Sequence, residues 1–235
     1  MRVARVFCDQ PLASGGALTL DSDTSHYLLR VMSLRRADRL ILFNGNGKEY
    51  QSVLMSAERK QATVLIGDAG KPQTESVLCV SLGQGIARGE RMDFVLQKSV
   101  ELGAASITPL VTNRSQVHLS GKRLENRLAH WQGILRSACE QSNRIVLPAL
   151  NGVTRLPDWL ESRQAQEPQH KLVLDPSALC GLKELEPATS VSIVIGPEGG
   201  LDQNEIKLAE SHGFQRIRLG PRILRTDTAA LATLA

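Results

Sequence analysis

Residues 191–201 read Val-Ser-Ile-Val-Ile-Gly-Pro-Glu-Gly-Gly-Leu, which is a β-branched run followed at once by a glycine-rich loop. The apolar run is typical of a buried strand, and Asp202 offers an N-cap for a helix behind the loop. Residues 217–228, Ile-Arg-Leu-Gly-Pro-Arg-Ile-Leu-Arg-Thr-Asp-Thr, repeat the order of strand, Gly-Pro corner and helix. Two such corners at the carboxyl ends of strands predict a ligand pocket at one edge of an α/β sheet.

Around these two corners, the chain from residue 76 onward alternates apolar runs with amphipathic stretches. Strands are predicted at 77–82, 107–111 and 171–174, and helices at 92–102 and through Leu124 to Leu135. This alternation requires crossover connections between parallel strands. The sequence therefore predicts an α/β domain, with a mostly parallel sheet covered by helices.

The first seventy residues follow a different pattern, which is β-rich and contains one helix. Short apolar strands are predicted at 2–7, 40–43, 49–55 and 62–66, and Asp21 is a candidate N-cap for the helix. Residues 68–75 break every periodicity and contain a glycine and a proline, which is typical of a linker. We therefore divide the chain into a barrel-like domain at 1–72 and an α/β domain at 73–235.

Composition excludes several classes of protein. The 235 residues are 42% hydrophobic and 22% charged, enough apolar material for a globular core. No apolar stretch approaches the roughly 18 residues that span a bilayer, and no apolar segment of a secretory signal follows the first arginines. The four cysteines show no metal-ligand spacing, so we expect reduced thiols, no metal and a cytoplasmic location. Arginine supplies 20 of the 28 basic residues, which favours phosphate contacts.

A second glycine-rich segment, residues 83–89 (Gly-Gln-Gly-Ile-Ala-Arg-Gly), competes for the ligand because it also follows a predicted strand. It is one residue out of register with a dinucleotide fingerprint, and the next strand ends at 109–114 without the acidic residue that holds a ribose. A plain strand-to-helix loop is favoured, and a nicotinamide-dependent dehydrogenase remains an alternative.

Four separated motifs carry a family resemblance. They are Ile-Gly-Pro-Glu-Gly-Gly at 195–200, Leu-Gly-Pro-Arg-Ile-Leu-Arg-Thr-Asp-Thr-Ala at 219–229, Gln-Lys-Ser-Val-Glu-Leu-Gly at 97–103, and Glu-Gln-Ser-Asn-Arg at 140–144. Together they resemble the E-type family of 16S ribosomal RNA (uracil-N3)-methyltransferases of the SPOUT class. The segments His-Tyr-Leu-Leu-Arg at 26–30 and Phe-Asn-Gly at 43–45 are similar to the PUA-like RNA-binding domain of that family, so the resemblance covers nearly the whole chain.

The resemblance implies a SPOUT-type sheet whose carboxyl-terminal segment forms a trefoil knot, and S-adenosylmethionine as the methyl donor. It also implies a homodimer that acts on 16S ribosomal RNA or the small ribosomal subunit, and the apolar run at 229–235 would suit a subunit interface. The donor-binding residues expected on this basis are Leu174, Gly196, Pro197, Glu198, Gly199, Gly200, Leu219, Gly220, Ile223, Leu224, Thr226, Thr228 and Ala229.

Methylation of uracil N3 requires loss of its proton, and a nearby guanidinium would stabilise the anion. Arg225 and its neighbour Arg222 are the candidate catalytic residues, although a phosphate contact or an ion pair at the helix start would explain them equally well. The candidate RNA-binding residues are Arg2, Arg5, Arg30, Arg88, Arg91, Arg114 and Arg144. A non-catalytic RNA-binding or ribosome-assembly protein is the alternative from a different functional class.

Overall fold

The computed structural model describes residues 3–58, 61–117, 119–164 and 168–235. The chain divides into two compact units. The first comprises the residues up to Glu75 together with Cys139–Leu147, and the second comprises Ser76–Ala138 and Pro148–Ala235. Among the residues described, no helix is both long and apolar enough to cross a membrane.

The first unit contains the elements β1 (Ala4–Phe7), β2 (Ala17–Thr19), α1 (Ser22–His26), β3 (Arg39–Phe43), β4 (Glu49–Glu58) and β5 (Gln61–Gly70). Its strands form one sheet with the order β1-β3-β4-β5-β2, in which only the β1–β3 pair is parallel. Helix α1 is capped by Asp21, whose carboxylate accepts a hydrogen bond from the Thr24 amide at 2.8 Å, as predicted. The helix continues into one π-helical turn, Tyr27–Val31.

The segment 139–147 is fastened into the first unit by two carboxylates. Glu75 accepts hydrogen bonds from Arg144 Nη2 at 2.7 Å and from the Ile145 amide at 3.0 Å. Glu140 accepts one from the Phe7 amide at 2.9 Å. Burial alone would raise the pKa of Glu75, but the bonds from Arg144 lower it below its ordinary value. The sequence-based division placed this segment with the second domain, because nothing in its local pattern indicates these partners.

The strands of the second unit are β6 (Cys79–Gly85), β7 (Ser106–Val111), β8 (Ala149–Leu150), β9 (Thr154–Arg155), β10 (His170–Leu174), β11 (Ser190–Ile195) and β12 (Gln215–Ile217). They form a parallel sheet with the order β12-β10-β11-β6-β7-β8, and β9 also pairs with β7. Its helices are α2 (Glu90–Glu101), α3 (Gly121–Ser142), α4 (Leu156–Gln164), α5 (Gln203–Ser211) and α6 (Thr226–Leu234), and the last turn of α3 belongs to the first unit. The predicted α/β class is confirmed. The trefoil knot stays a prediction, since strand order and pairing do not establish threading.

Strand β6 ends three residues later than predicted, at Gly85, and this changes the structural role of the glycines at its end. A Cβ at Gly83 would lie 2.9 Å from Leu110 Cδ1 and 3.0 Å from the Trp159 ring. A Cβ at Gly85 would lie 2.4 Å from the Pro197 nitrogen. Both glycines are therefore strand positions that allow close packing, and they do not form a phosphate-binding loop.

Candidate active site

A cavity of about 320 Å³ opens where strands β10, β11 and β12 end. Its walls are the two Gly-Pro corners singled out in the sequence, at 195–201 and 217–224. None of residues 83–89 lines it. Of the thirteen residues expected to hold a methyl donor, twelve line this cavity. They are Leu174, Gly196, Pro197, Glu198, Gly199, Gly200, Leu219, Gly220, Ile223, Leu224, Thr226 and Ala229.

The thirteenth, Thr228, is not among the lining residues and is exposed on α6. Helical geometry explains the difference, because neighbouring positions on one helix point in different directions. Its position therefore does not support the expected contact with a donor.

The first corner is held in place from the start of α6. The buried Thr226 hydroxyl donates to the Gly196 carbonyl at 2.6 Å and accepts from Gln84 Nε2 at 2.9 Å. Gly85 lets the backbone at Pro197 approach the end of β6 closely. Contacts with the end of β6 and the start of α6, both distant from the loop in sequence, therefore fix the shape of this loop.

The carboxylate of Glu198 is held by residues at the start of α2. It accepts hydrogen bonds from the Arg88 amide at 2.9 Å, two residues before α2, and from Arg91 Nη1 at 3.2 Å, in the first turn of α2. Burial would raise its pKa, but these two partners lower it. Helix α5, which follows Glu198, is capped instead by Asp202, which accepts from the Asn204 amide at 2.8 Å. Glu198 thus fastens the loop to the start of α2.

Arg114 supports the same loop from the end of β7. Its Nη1 donates to the Gly199 carbonyl at 2.8 Å, and a Cβ at Gly199 would lie 3.1 Å from Arg114 Cβ. The neighbouring Asn113 side chain donates to Asp202 at 2.8 Å. Arg114, expected to contact RNA, is exposed but also forms part of the cavity wall.

Two charged residues of the cavity wall were missed by sequence reasoning. Asp175 is buried at the end of β10 and accepts from the Ser177 amide at 2.9 Å and from Arg216 Nε at 2.8 Å. Burial raises its pKa, but the bonds from Ser177 and Arg216 lower it further than burial raises it. Arg218 lines the cavity and is exposed. The acid at the end of a strand, before Pro176, was the available signal for Asp175.

The two candidate catalytic arginines occupy different places. Arg222 lines the cavity and is exposed, whereas Arg225 is the exposed N-cap residue of α6 and is not among the lining residues. Within the described part of the chain, no carboxylate forms an ion pair with either one. An ion pair at the helix start therefore does not account for Arg225.

Two of the arginines expected to bind RNA have structural roles instead. Arg5 is buried, forms an ion pair with Glu49, lies 5.1 Å from the centre of the Phe43 ring, and donates to the Arg144 carbonyl at 3.3 Å. Arg144 is buried against the Glu75 carboxylate. Both guanidinium groups are buried and paired inside the first unit, so the prediction that these two arginines bind RNA is corrected.

The other arginines expected to bind RNA lie on the surface, except for one that is outside the described residues. Arg30 and Arg88 are exposed, and Arg91 is half-exposed beside Glu198. Arg2 lies outside the described residues.

Among the described residues, the cysteines and other potential metal ligands form no further site. All four cysteines are free thiols, and burial raises the pKa of Cys139 to about 12. The described ranges contain no group of three or more His, Cys, Asp or Glu side chains that could hold a metal ion.

Comparison with known proteins bears directly on this site. Residues 74–235 match the model of the RNA methyltransferase domain, and residues 20–67 match that of the RNA methyltransferase PUA domain. The Buchnera aphidicola (strain Sg) protein named ribosomal RNA small subunit methyltransferase E is 32% identical over 99% of this chain and 94% of its own length. The chain belongs to the small subunit methyltransferase E family.

Two solved structures extend the comparison. A methyltransferase from Legionella pneumophila, solved in complex with the bound cofactor SAM, superimposes with a TM-score of 0.94 at 35% identity, covering 100% of this chain and 96% of that one. The ribosomal RNA small subunit methyltransferase E of Neisseria gonorrhoeae, bound to S-adenosyl methionine, gives a TM-score of 0.91 at 35% identity, covering 99% and 95%. Membership of the methyltransferase E family confirms the resemblance, and it favours an enzyme over a non-catalytic RNA-binding protein.

Proposed function

We propose that this methyltransferase E family member transfers a methyl group to N3 of a uridine in 16S ribosomal RNA, with S-adenosylmethionine as donor. The observation that carries the proposal is the cavity at the two Gly-Pro corners, with twelve of the thirteen expected donor-binding residues in its walls. The Neisseria relative named as a small-subunit methyltransferase and bound to S-adenosyl methionine supports both donor and substrate.

The residues of the cavity fit this donor. Adenine needs apolar walls together with backbone donors and acceptors, and the cavity combines Ile195, Leu219 and Leu224 with bare backbone at Gly196 and Gly200. Its volume of about 320 Å³ lies within the range of small-molecule sites. A Cβ at Gly196 would lie 2.8 Å from the Gly200 carbonyl carbon, so the loop keeps its shape only with glycine there.

The bound donor supplies an electrophilic methyl group on a sulfonium centre. The protein has to orient the uracil ring in line with that group and to stabilise N3 after its proton has left. We assign the second task to Arg225, and Arg222, which lines the cavity, is the second candidate. The charge of both side chains is available, because neither pairs with a carboxylate of the described residues. We do not assign this proton to Glu198, because its carboxylate is hydrogen-bonded to the Arg88 amide.

Substrate binding follows from the distribution of exposed arginines. We propose residues 1–72 as the RNA-binding domain and 73–235 as the methyltransferase domain. Arg30 in the first unit, and Arg88, Arg91, Arg114 and Arg218 in the second, would contact phosphates. We further propose that the protein is a cytoplasmic homodimer and that its carboxyl-terminal segment is knotted. Membership of the family supports all three proposals, and the apolar residues of α6 support the homodimer.

The test combines donor binding with product analysis. Calorimetry should detect S-adenosylmethionine binding, and mass spectrometry of 16S ribosomal RNA incubated with protein and donor should detect 3-methyluridine. Free RNA and assembled small subunits should be compared as substrates. RNA binding with no heat from the donor at millimolar concentration would instead indicate the non-catalytic assembly protein. A monomer at micromolar concentration in sedimentation would contradict the homodimer.

A further inference from the structure

A second cavity, of about 450 Å³, lies in the first unit. Its walls are His26, Leu29, Arg30, Leu34 and Ala57. All five belong to the first unit, so the cavity is separate from the pocket proposed to hold the methyl donor. No residue of this cavity other than Arg30 has been given a role above.

The cavity lies where helix α1 runs into a π-helical turn, since His26, Leu29 and Arg30 line it. The Met32 amide donates to the Tyr27 carbonyl at 2.9 Å, five residues earlier, and the Leu34 amide donates to the Leu28 carbonyl at 3.0 Å. Single π-helical turns of this kind frequently occur at functional sites. Leu29 and Leu34 pack against the hydrophobic core of the unit, so the apolar part of the cavity is fixed in place.

One positively charged side chain, that of Arg30, lies on the cavity wall. Residues 30–39 contain four arginines and one acid, Asp38. Asp38 is occupied locally, because its carboxylate accepts from the Arg35 amide at 2.7 Å. Arg30 is exposed on the cavity wall, and no described carboxylate pairs with it. An anionic group next to the cavity would therefore meet a free guanidinium.

Apolar walls, a guanidinium and an imidazole match the parts of one nucleotide. A base needs apolar surface for its faces and a hydrogen-bonding group for its edge, and its phosphate needs a cation. Leu29, Leu34 and Ala57 supply the first, His26 the second and Arg30 the third. We propose that this cavity takes one unpaired nucleotide of the RNA substrate, with the base inside and the phosphate on Arg30. The RNA ligand rests on the proposed function, but the cavity does not depend on methyl transfer.

Two pairs of variants of the full chain test the proposal by filter binding to a 16S ribosomal RNA transcript. Arg30→Ala removes the phosphate contact, and Arg39→Ala removes the same charge at an exposed position outside the cavity. Ala57→Phe fills the cavity from an exposed strand position, and Met55→Phe adds an aromatic ring at an exposed position of the same strand that does not line the cavity. Thermal unfolding establishes that each variant is folded.

Arg30→Ala and Ala57→Phe should each weaken RNA binding by roughly tenfold, about what loss of one bound base or phosphate contact costs. Their two controls should stay within about threefold, as expected for surface positions that touch no ligand. The double variant Arg30→Ala/Ala57→Phe should bind little worse than either single variant, because both lose the same nucleotide. Donor binding measured by calorimetry should be unchanged in all of them.

Equal losses in Arg30→Ala and Arg39→Ala would show that only diffuse charge matters, and would overturn the proposal. Parental affinity in Ala57→Phe would overturn it as well, since a filled cavity cannot hold a base. Failure of the proposed function would look different. The variants would then change RNA binding as expected, but the parent protein would bind no S-adenosylmethionine.

Discussion

Replacing Gly85 with alanine should disable the donor pocket, although Gly85 itself does not line it. The new Cβ would lie 2.4 Å from the Pro197 nitrogen, 2.5 Å from Pro197 Cδ and 2.8 Å from the Gly196 carbonyl carbon. Ordinary van der Waals contact begins at 3.4 Å, so the loop has to retreat by the difference, 3.4 − 2.4 = 1.0 Å. The neighbours are backbone atoms, which cannot rotate away as a flexible side chain would.

Overpacking of this kind costs about 1–3 kcal/mol of unfolding free energy. The retreating loop carries backbone groups at Gly196–Gly200 that we assign to the donor, and a 1.0 Å displacement takes a hydrogen bond out of range. Loss of one or two such bonds costs about 1.4 kcal/mol or more, which is at least a tenfold loss of affinity.

Isothermal titration calorimetry with S-adenosylmethionine measures this loss directly. The matched control is Gly133→Ala on helix α3, where an added Cβ would meet nothing within 4 Å. The control should keep parental donor affinity and should gain about 0.5–1 kcal/mol of stability, because glycine weakens a helix interior. Parental donor affinity in Gly85→Ala would refute the assignment of the loop to the donor.

Three further outcomes follow from individual contacts. Arg225→Ala should lower kcat by roughly a hundredfold while donor affinity stays within a few-fold, as for the loss of one anion-stabilising donor; weaker RNA binding with normal turnover at saturating RNA would instead indicate a phosphate contact. Thr226→Val leaves the Gly196 carbonyl and Gln84 amide without their shared hydroxyl, so urea titration should show a loss of about 1–3 kcal/mol. The pKa of Asp175 is lowered in the folded protein. The ionised Asp175 side chain therefore stabilises the fold fully above its pKa in the unfolded chain, near 3.9. This stabilisation is lost as the pH falls through the lower pKa that Asp175 has in the folded protein. Asp175→Asn should lower the free energy of unfolding at pH 7 and should make that free energy less dependent on pH in the acid range. If the free energy of unfolding fell with decreasing pH as steeply in the variant as in the parent protein, this prediction would be contradicted.

Local signals predicted the elements that form the pocket. The β-branched run of β11, the Asp202 cap of α5 and the two Gly-Pro corners all depend on neighbours in sequence, and each lies where it was expected. The pocket could be anticipated for the same reason, because the ends of parallel strands meet at one edge of a sheet.

Long-range contacts account for what the sequence did not reveal. Gly83 and Gly85 have the appearance of a phosphate loop until the backbone of Pro197, more than a hundred residues later, is placed against β6. Arg5 and Arg144 have the appearance of surface arginines until Glu49 and Glu75 are known to be their partners. Helix α4 is short, so its apolar residues give little periodicity to detect.

The capture of residues 139–147 by the first unit makes that unit discontinuous in the gene. A fragment that stops at Glu75 lacks Arg144 and the amide of Ile145 for its last carboxylate, and it lacks Glu140 for the amide of Phe7. The first unit therefore cannot be transferred as one continuous segment of the chain. Grafting it onto another enzyme, or expressing it alone for spectroscopy, requires the nine residues of the later segment to be spliced in or supplied as a peptide.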